Sequence, residues 1–457
     1  MTENIRQFHD EIKNKRITVI GIGISNRPLI RYLVEHGAIV TACDKKTREA
    51  LGDIADELTS LGVTLCLGED YLAHLDADII FKTPGMRFDH PALLDAKARG
   101  AKITSEMEVF FDICPTKIIA VTGSDGKTTT TTLIHRLLAE EGYQCHLGGN
   151  IGTPLLTKAC EMNPSDFTVL ELSSFQLHTM KKSPDVAVIT NITPNHLDMH
   201  KDYQEYIDAK KNIMLYQNSE NTLVLNLDNE VTARLTSEAK GKLLTFSRKG
   251  SADICLDGGI ITANGAKILD CADIKIPGMH NVENYMAAIA ATLPWVSKDT
   301  IQKVAKEFGG VPHRIELVKT VDGVRYYNSS IDSSPNRTIN TLKVFSEPVV
   351  LIAGGKDKGI PYDDIGPIIL EKCKALILIG ATSDAIEAAV KQAALNEIGR
   401  KILPIYRETD YPSAVKRAQS CARHGDVVLL SNASTSFDMF ANFEQRGNLF
   451  KELVEKL

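Results

Sequence analysis

The chain has 457 residues, of which 43% are hydrophobic and 24% charged, and its formal net charge is −6. A chain of this length exceeds what one hydrophobic core usually supports, so we expect two to three globular domains. The negative charge provides no basic field for nucleic acid, and no apolar run approaches the roughly 18 residues of a membrane-spanning helix. Composition and charge therefore predict a globular protein with neither a nucleic-acid partner nor a membrane span.

Two features predict the compartment of the protein. The first 16 residues are polar and charged and contain no apolar signal segment, which favours a cytoplasmic location. The nine cysteines are scattered along the chain and never closely paired. We therefore expect reduced, mostly buried thiols rather than a disulfide framework.

The first predicted domain opens with a buried strand over residues 17–20, which runs through Gly21-Ile22-Gly23 into a helix. A second strand ends at Asp44, about where the ribose-binding acid of a dinucleotide-binding domain lies. Asn26 replaces the third glycine of that motif. The pattern predicts a Rossmann-type domain and leaves open whether it binds a nicotinamide dinucleotide, another ligand or none.

Residues 117–129 carry the strongest chemical signal: an apolar strand, a tight glycine turn, and then Lys127 and Thr128 at the start of a helix. Backbone N–H groups in such a turn bind phosphate, the lysine reaches the outer phosphates, and the threonine can ligate Mg²⁺. Val121 stands where the full phosphate-loop pattern has glycine, so this loop is a shortened variant. We interpret it as a binding site for a nucleoside triphosphate.

Two later strands lead to candidate ligands. Glu171 lies near the carboxyl end of one predicted strand, and His196 follows another over residues 186–191. Because parallel strands deliver their carboxyl ends to one edge of a sheet, both residues would open onto the crevice of the phosphate loop. We interpret them as candidate members of a metal and phosphate site, the alternative being solvated loop residues.

A predicted helix over residues 203–217 contains a lysine in an unusual place. Lys210 falls on the apolar stripe of this helix, whereas Lys211 falls on its polar face. The lysine could snorkel to solvent or pair with an acid. It could instead be an inward cation, or a modified lysine, that faces the nucleotide site.

Further polar residues mark the start of an alanine-rich helix and a second domain junction. Asn281 and Asn284 lie three apart on one helical face, where their amides could cap the helix or read a base edge. Arg314 follows a glycine pair and could reach phosphates.

The last part of the chain repeats the strand and helix alternation. Apolar strands over residues 349–353, 375–379 and 427–431 predict a third α/β domain. The serine-rich turn at 434–438 would suit a small anionic substrate.

Taken together, these motifs resemble those of the ATP-dependent Mur ligases of peptidoglycan synthesis, and the resemblance covers the whole chain. The shared segments are Thr122-Gly123-Ser124-Asp125-Gly126-Lys127-Thr128-Thr129, Glu171-Leu172-Ser173-Ser174-Phe175-Gln176-Leu177, Asn191-Ile192-Thr193-Pro194-Asn195-His196-Leu197-Asp198, His280-Asn281-Val282-Glu283-Asn284 and His313-Arg314-Ile315-Glu316. Gly148-Gly149-Asn150-Ile151-Gly152 and the tail over residues 438–447 are similar to the D-glutamate-adding members.

The resemblance implies an α/β fold of three domains. These are a Rossmann-type domain for the uridine nucleotide over residues 1–104, a central P-loop ATPase-type domain over 105–310, and a C-terminal Rossmann-like, amino-acid-binding domain over 311–457. The implied reaction joins D-glutamate to UDP-N-acetylmuramoyl-L-alanine through an acyl phosphate, with ATP and two Mg²⁺ ions. It would serve peptidoglycan precursor synthesis, and through it the cell wall, cell shape and cell division. A monomer is implied.

The resemblance also implies individual roles. The implied ATP-binding residues are Gly123, Ser124, Asp125, Gly126, Lys127, Thr128, Thr129, Asn281 and Arg314. The implied metal ligands are Thr128, Glu171, His196 and a carbamylated Lys210; Lys127, His196 and Lys210 are the implied catalytic residues. The implied substrate contacts are Ile24, Ser25, Asp44, Lys45 and Asn150 for the UDP-sugar, Ser333, Lys358, Ser436 and Phe443 for D-glutamate, together with Ser173.

Three positions depart from the family pattern. Ser329 stands where an aspartate is frequent, Ile331 where a lysine is frequent, and Asn432 where a proline is common. They leave open the exact contacts of the loop over residues 328–334.

Other functions remain open at this point. A different Mur ligase, or a folylpolyglutamate synthase, would share the ATPase core and add another amino acid. A nicotinamide dehydrogenase depends on the Gly21 region alone, and a small-molecule kinase on the phosphate loop alone.

Overall fold

The computed structural model describes residues 2–23, 26–73, 75–194, 199–357, 359–395 and 403–457. The chain forms two compact units. The first comprises residues 1–271 and 282–304, and the second comprises residues 272–281 and 305–457. None of the helices formed by the described residues is long and apolar enough to cross a lipid bilayer.

The first unit begins with a parallel five-stranded sheet in the order β3-β2-β1-β4-β5. Its strands are β1 (Arg16–Ile20), β2 (Ile39–Asp44), β3 (Thr64–Leu67), β4 (Ile79–Phe81) and β5 (Lys102–Thr104). The associated helices are α1 (Glu3–Ile12), α2 (Asn26–Glu35), α3 (Arg48–Leu51), α4 (Asp53–Ser60), α5 (Pro91–Ala98) and α6 (Glu106–Ile113).

Asn26 explains how α2 follows β1 without the third glycine of a dinucleotide motif. Its buried side-chain amide donates hydrogen bonds to the carbonyls of Ile20 at 3.1 Å and Gly21 at 2.9 Å. The amide thereby satisfies carbonyl groups at the end of the strand. This turn is built around an asparagine anchor.

The same unit continues with a nine-stranded sheet in the order β14-β13-β12-β11-β10-β9-β6-β8-β7. All of its pairs are parallel except β12–β13 and β13–β14. The strands are β6 (Lys117–Thr122), β7 (Cys145–Gly149), β8 (Phe167–Glu171), β9 (Val186–Ile189), β10 (Thr222–Asn226), β11 (Lys242–Ser247), β12 (Ile254–Asp257), β13 (Ile260–Ala263) and β14 (Ala266–Asp270).

The helices of this region begin and end at recognisable signals. Gly126 and Gly142 flank the first of them in left-handed conformations, with φ of +78° and +106°. The side chain of Asp202 caps the helix that carries Lys210. The helices are α7 (Lys127–Glu141), α8 (Ser174–Leu177), α9 (Tyr203–Leu215), α10 (Glu230–Arg234), α11 (Met279–Thr292) and α12 (Lys298–Glu307).

The second unit contains a six-stranded sheet in the order β15-β16-β20-β17-β18-β19, in which only the β15–β16 pair is antiparallel. Its strands are β15 (Glu316–Val321), β16 (Val324–Asn328), β17 (Val349–Ala353), β18 (Cys373–Leu378), β19 (Ile405–Arg407) and β20 (Val427–Leu430). Its helices are α13 (Pro335–Leu342), α14 (Ile365–Lys372), α15 (Ser383–Leu395), α16 (Tyr411–Cys421) and α17 (Phe443–Glu455).

The apolar runs predicted as strands are buried because helices cover both faces of a parallel sheet. Every residue of β17 and of β20 is buried. The three sheets agree with the predicted three-domain α/β fold. The exact domain boundaries stay a prediction.

The cysteines are all free thiols, but the expectation that most are buried was wrong. Only Cys43 is buried, and Cys160 is exposed. Cys66 and Cys145 are partly exposed because they lie on β3 and β7, the edge strands of their sheets.

Candidate active site

The phosphate loop lies between β6 and α7 and is fixed by the segment that follows β9. The backbone N–H of Asp125 donates to Asn191 Oδ1 at 2.9 Å, and Thr190 Oγ1 donates to the carbonyl of Asp125 at 2.6 Å. A Cβ atom at Gly123 would overlap Thr190 Oγ1, so only glycine allows this close approach. The loop is therefore held in place by the ends of two neighbouring strands, β6 and β9.

Lys127 begins α7 and folds back over the loop. Its Nζ donates to the carbonyls of Gly123 and Ser124, both at 2.9 Å. The preceding residue, Gly126, packs against Asn284 Oδ1. A Cβ atom at position 126 would overlap that oxygen. The ammonium group lies at the N-terminus of a 15-residue helix, a location that favours bound anions.

Glu171 ends β8 beside the phosphate loop, since it pairs in register with Val121 of β6. The residue is 1% exposed. Its Oε1 accepts a hydrogen bond from Asn150 Nδ2 at 2.8 Å, whereas Oε2 is buried and accepts none from the part of the chain that the structure describes. A buried carboxylate oxygen without a donor needs a cation or a proton, so Glu171 fits the role of a Mg²⁺ ligand.

Lys210 of α9 points inward and meets the same loop. The side chain is 1% exposed, and its Nζ donates to the carbonyl of Gly123 at 2.7 Å and lies 4.7 Å from the ring centroid of Tyr206. Burial, reinforced by the nearby Lys127 ammonium, lowers the pKa of Lys210 well below its usual value, although Glu171 and Asp125 oppose the shift. A neutral amine is the form that can react with carbon dioxide to give a carbamate.

Tyr206 and Ser124 connect α9 to the phosphate loop. The hydroxyl groups of the two residues are 3.0 Å apart, and Ser124 Oγ also donates to the carbonyl of Thr193 at 2.9 Å. The position of α9 therefore affects the loop directly.

No group of three His, Cys, Asp or Glu side chains within the described ranges is arranged to hold a metal ion. The candidate ligands that the structure describes are of mixed type, namely Thr128, which is 8% exposed, Glu171 and Lys210. His196, Ile24, Ser25 and Lys358 were also predicted as site residues, and they lie outside the described residues.

A cavity of about 810 Å³ opens at the carboxyl ends of the strands in the first sheet. Asp44 and Lys45, two of the predicted UDP-sugar contacts, line it together with Thr83 and Arg87. Asp44 Oδ2 accepts a hydrogen bond from the backbone N–H of Ile22 at 2.6 Å and so holds the glycine turn beside the cavity. The volume suits a large polar ligand.

Two other predicted substrate contacts of the first unit lie elsewhere. Asn150 binds Glu171 through both its side chain and its backbone N–H, and therefore belongs to the phosphate-loop site. Ser173 caps α8 in a capping box with Gln176. The structure gives these residues supporting contacts that the sequence did not predict.

In the second unit, a buried arginine joins the loops that carry the predicted D-glutamate contacts. Arg446 is 1% exposed, and it donates to Ser330 Oγ at 2.9 Å, to the Ser330 carbonyl at 2.7 Å and to the Ser434 carbonyl at 3.1 Å. Ser330 Oγ in turn donates to the carbonyl of Phe443 at 2.8 Å. Ser333 lies three residues after Ser330, and the buried Ser436 lies two residues after Ser434.

Arg314 lies in a strained segment of the same unit. Its neighbours His313 and Ile315 have positive φ values of +63° and +47°, and such strain is concentrated at functional sites. His313 is held by Asn328, whose Nδ2 is 3.0 Å from His313 Nδ1. Asn281 donates from Nδ2 to the Pro277 carbonyl at 2.6 Å, a local contact close to the start of α11.

Three side chains that organise these sites were not predicted from the sequence. Arg446 belonged only to a tail motif, and Tyr206 only to an apolar stripe. Asp332 is 5% exposed and accepts hydrogen bonds from Thr341 Oγ1 and Ser431 Oγ, both at 2.8 Å. Burial raises the pKa of Asp332, against the effect of these donors. A buried carboxylate three residues beyond Ser329 has no signature in hydrophobic periodicity.

Three family models match the chain. Residues 15–105 match the Mur ligase MurD-like N-terminal domain, residues 121–292 match the Mur ligase middle domain, and residues 313–433 match the Mur ligase glutamate ligase domain.

Curated relatives match over their full length. Proteins named UDP-N-acetylmuramoylalanine--D-glutamate ligase are 54% identical in Ruminiclostridium cellulolyticum, 52% in Acetivibrio thermocellus and 51% in Clostridium novyi, each covering 100% of both chains.

Solved structures share the fold at low identity. MurF from Acinetobacter baumannii has a TM-score of 0.60 at 15% identity and covers 96% of this chain and 93% of its own. UDP-N-acetylmuramate-alanine ligase MurC from Thermotoga maritima has a TM-score of 0.56 at 20% identity and covers 97% and 99%. At such identities these structures establish the architecture and carry no information on the substrate.

Proposed function

The chain belongs to the Mur ligase family, and we propose that it is the ligase that joins D-glutamate to UDP-N-acetylmuramoyl-L-alanine with cleavage of ATP. The amino-acid preference is supported by the full-length relatives, which carry the name of that activity. The observation that carries the chemistry is the juxtaposition of three elements at one sheet edge: the phosphate loop, the buried carboxylate of Glu171 and the buried amine of Lys210.

The phosphate loop supplies the site for ATP. Lys127 Nζ lies over the loop, and the N-terminus of α7 faces the same loop. Both positive groups favour binding of the β- and γ-phosphates there. In phosphoryl transfer, positioning and charge neutralisation supply most of the rate acceleration. The direct role of the loop is therefore to hold the triphosphate in line with the attacking carboxylate.

Thr128, Glu171 and Lys210 are suited to hold Mg²⁺, and we propose two such ions in the site. When bound, Mg²⁺ neutralises charge on the phosphates. The unpaired Glu171 Oε2 supports this assignment, because the chain gives that oxygen no other partner among the described residues. For Lys210 we propose carbamylation, which converts a buried amine into an oxygen donor that suits a hard cation.

The reaction has two steps. The alanyl carboxylate of the UDP-sugar attacks the γ-phosphorus of ATP, forming an acyl phosphate and releasing ADP. The free amine of D-glutamate then attacks the acyl carbon and forms the amide bond. Inorganic phosphate leaves with the electron pair of the broken C–O bond, and one proton of the amine is released to solvent. We propose that the Asp44 cavity binds the uridine nucleotide and that the loops with Ser333 and Ser436 bind D-glutamate. A monomer would be sufficient for this reaction.

The test is a phosphate-release assay across candidate amino acids. We expect release that requires both UDP-N-acetylmuramoyl-L-alanine and D-glutamate. Release with L-lysine, meso-diaminopimelate or D-alanyl-D-alanine in place of D-glutamate would instead identify a sibling ligase. A stable phosphorylated product would identify a kinase, and a change in nicotinamide absorbance a dehydrogenase.

A further inference from the structure

We propose that Arg87 is a positioning residue that couples the UDP-sugar cavity to the helix that carries Lys210, an inference that depends on the proposed function. Arg87 lies in the loop after β4 and lines the 810 Å³ cavity. Its guanidinium binds Asp89 of the same loop and Glu205 of α9, and we call these three side chains the Arg87 bridge.

The five N–H groups of Arg87 are all used within the protein. Nε and Nη2 donate to the two carboxylate oxygens of Asp89 at 2.8 and 2.9 Å. Nη2 and Nη1 donate to the two oxygens of Glu205 at 3.0 and 3.2 Å, and Nη1 donates to the carbonyl of Met199 at 2.8 Å. An arginine has five donors in a fixed fork, so none remains for a phosphate of the ligand.

The charges of the cluster also argue against anion binding. Asp89 and Glu205 neutralise Arg87 and the nearby Lys201, whose Nζ is 3.7 Å from Asp89. Hydrogen bonding to Arg87 lowers the pKa of Asp89 and of Glu205 to about 2, so both stay ionised at neutral pH. Although Arg87 lines the cavity, the Arg87 bridge has no net positive charge with which to attract a diphosphate.

Glu205 transmits the position of the bridge to the reaction site. It lies in the first turn of α9, next to Tyr206, whose hydroxyl group is 3.0 Å from Ser124 Oγ of the phosphate loop. Lys210 lies five residues further along the same helix and donates to the carbonyl of Gly123. A shift of the cavity loop would therefore reach the phosphate loop through one rigid helix.

Bidentate geometry makes this connection stiff. Each carboxylate is held by two parallel hydrogen bonds, which fix direction as well as distance. The side chains are 29% exposed for Arg87, 31% for Asp89 and 15% for Glu205, so all three are partly shielded from solvent. Misplacement of a reacting group by about 1 Å can reduce a rate about 100-fold. The bridge could therefore affect catalysis without donating a hydrogen bond to a substrate.

The experiment compares Arg87→Gln, Arg87→Lys and Glu205→Gln with the double variant Arg87→Gln/Glu205→Gln. Arg16→Gln is the matched control, because Arg16 also binds two carboxylates, Asp76 and Asp78, at the opposite ends of the strands and outside the cavity. The measurements are kcat at saturating substrates, the Kd of UDP by calorimetry, and hydrogen exchange over residues 203–215. Thermal unfolding identifies variants that fail to fold.

We expect each single bridge variant to lower kcat about tenfold or more while the Kd of UDP changes less than about threefold, the pattern of an interaction that acts on the transition state. Arg87→Lys should not restore kcat, because lysine keeps the positive charge but lacks the planar guanidinium that binds both carboxylates. The double variant should be no slower than the slower single variant, since both remove the same connection. Exchange over 203–215 should accelerate in Arg87→Gln and not in Arg16→Gln.

Unchanged kcat, additive losses in the double variant, rescue by lysine, or a loss of UDP affinity as large as the loss of kcat would each overturn the proposal. A failure of the proposed function is distinguishable, because it would appear as wild-type protein that does not consume D-glutamate. In that case the hydrogen-exchange comparison would still test the Arg87 bridge.

Discussion

At the scale of single residues, Lys210 is the clearest case in which location decides chemistry. An ordinary lysine is exposed and charged, whereas this one is buried against the Gly123 carbonyl and has a lowered pKa. The neighbouring Lys211 instead pairs with Glu238, to which its Nζ donates at 2.9 Å. Two adjacent lysines on one helix therefore lie in different environments, because successive side chains of a helix point in different directions.

We expect Lys210→Ala to lose activity by about 100-fold or more, because the site loses a group that positions charge in a phosphoryl transfer. Short carboxylic acids or bicarbonate should partly restore turnover if a carbamate is the active form. Steady-state phosphate release with and without added acetate measures both effects. Lys211→Ala is the control and should retain activity; equal activity of Lys210→Ala would leave this lysine a packing residue.

The Arg87 bridge predicts a specific pH dependence of stability. Because the pKa of Glu205 is lowered to about 2 from 4.5, its ion pair stabilises the folded state above the unfolded pKa. That stabilisation is lost as the pH falls from about 4.5 toward 2. Two histidines also face the Glu205 carboxylate: His178 Nε2 is 3.9 Å from Oε1, and His200 Nδ1 is 3.6 Å from Oε2.

Urea unfolding of wild type and Glu205→Gln at pH 7, 4 and 3 tests this directly. The variant should be less stable at pH 7, and the difference in the free energy of unfolding should shrink as the pH falls. Glu238→Gln removes the partner of Lys211, which lies on the same helix as Glu205, and at this partly exposed pair we expect little pH-dependent difference. A difference that is constant over this range would contradict the assignment.

At the scale of elements, the turn between β6 and α7 combines conformational freedom with close packing. Position 126 requires glycine for two reasons. Its φ is +78°, and a Cβ atom there would overlap Asn284 Oδ1. Asn284 comes from α11, more than 150 residues along the chain, and also accepts a hydrogen bond from Thr130 Oγ1 at 3.2 Å. The phosphate loop is therefore shaped by a distant helix as well as by its own glycines.

We expect Gly126→Ala to weaken binding of a non-hydrolysable ATP analogue at least tenfold, because either the loop or Asn284 must shift. Gly142→Ala is a matched control at the other end of α7. Its φ is +106° and a Cβ there meets nothing within 4 Å. It should cost about 1 kcal/mol of stability and leave the Kd of the analogue unchanged. Calorimetric titration measures the Kd of the analogue for both variants and for the wild type. A Gly126→Ala variant that binds the analogue as tightly as the wild type would show that the loop tolerates a side chain.

At the scale of the whole molecule, the proposed binding tasks belong to different units. The first unit contains the cavity that we propose for the UDP-sugar and the phosphate loop, and the second contains the loops that Arg446 holds. Because each unit has its own core, damage to the loops proposed for D-glutamate should not spread to the cavity proposed for the UDP-sugar.

Arg446→Gln tests this separation. Removal of the guanidinium leaves the carbonyls of Ser330 and Ser434 without donors. We expect the KM for D-glutamate to rise about tenfold or more while the Kd of UDP stays the same. Lys451→Gln, on the same helix and at a partly exposed pair with Glu316, is the control and should change neither value. An equal loss of UDP affinity would refute the separation.

The sequence by itself determined the architecture and the chemical class. Apolar strands that alternate with amphipathic helices favour parallel sheets with covered faces, which is why an α/β fold could be predicted. The antiparallel pairs β12–β13, β13–β14 and β15–β16 were not predicted. The glycine turn before Lys127 predicted a phosphate site because few other loops place N–H groups and a lysine at one helix start. Helical periodicity also placed Lys210 on the apolar stripe of its helix, but it left open whether the side chain snorkels to solvent or points inward. The structure shows it buried.

Only the tertiary structure decided which side chains meet. The close packing of Asn284 against Gly126 and the pairing of Arg87 with Glu205 join residues that lie far apart in the sequence. The buried Glu171 Oε2, which has no partner among the described residues, also results from packing. Periodicity reports which face of an element is buried, whereas it carries no information on the partner at that face. Hydrogen bonds between residues distant in the sequence depend on how the sheets and helices pack, so only the tertiary structure identifies the partners.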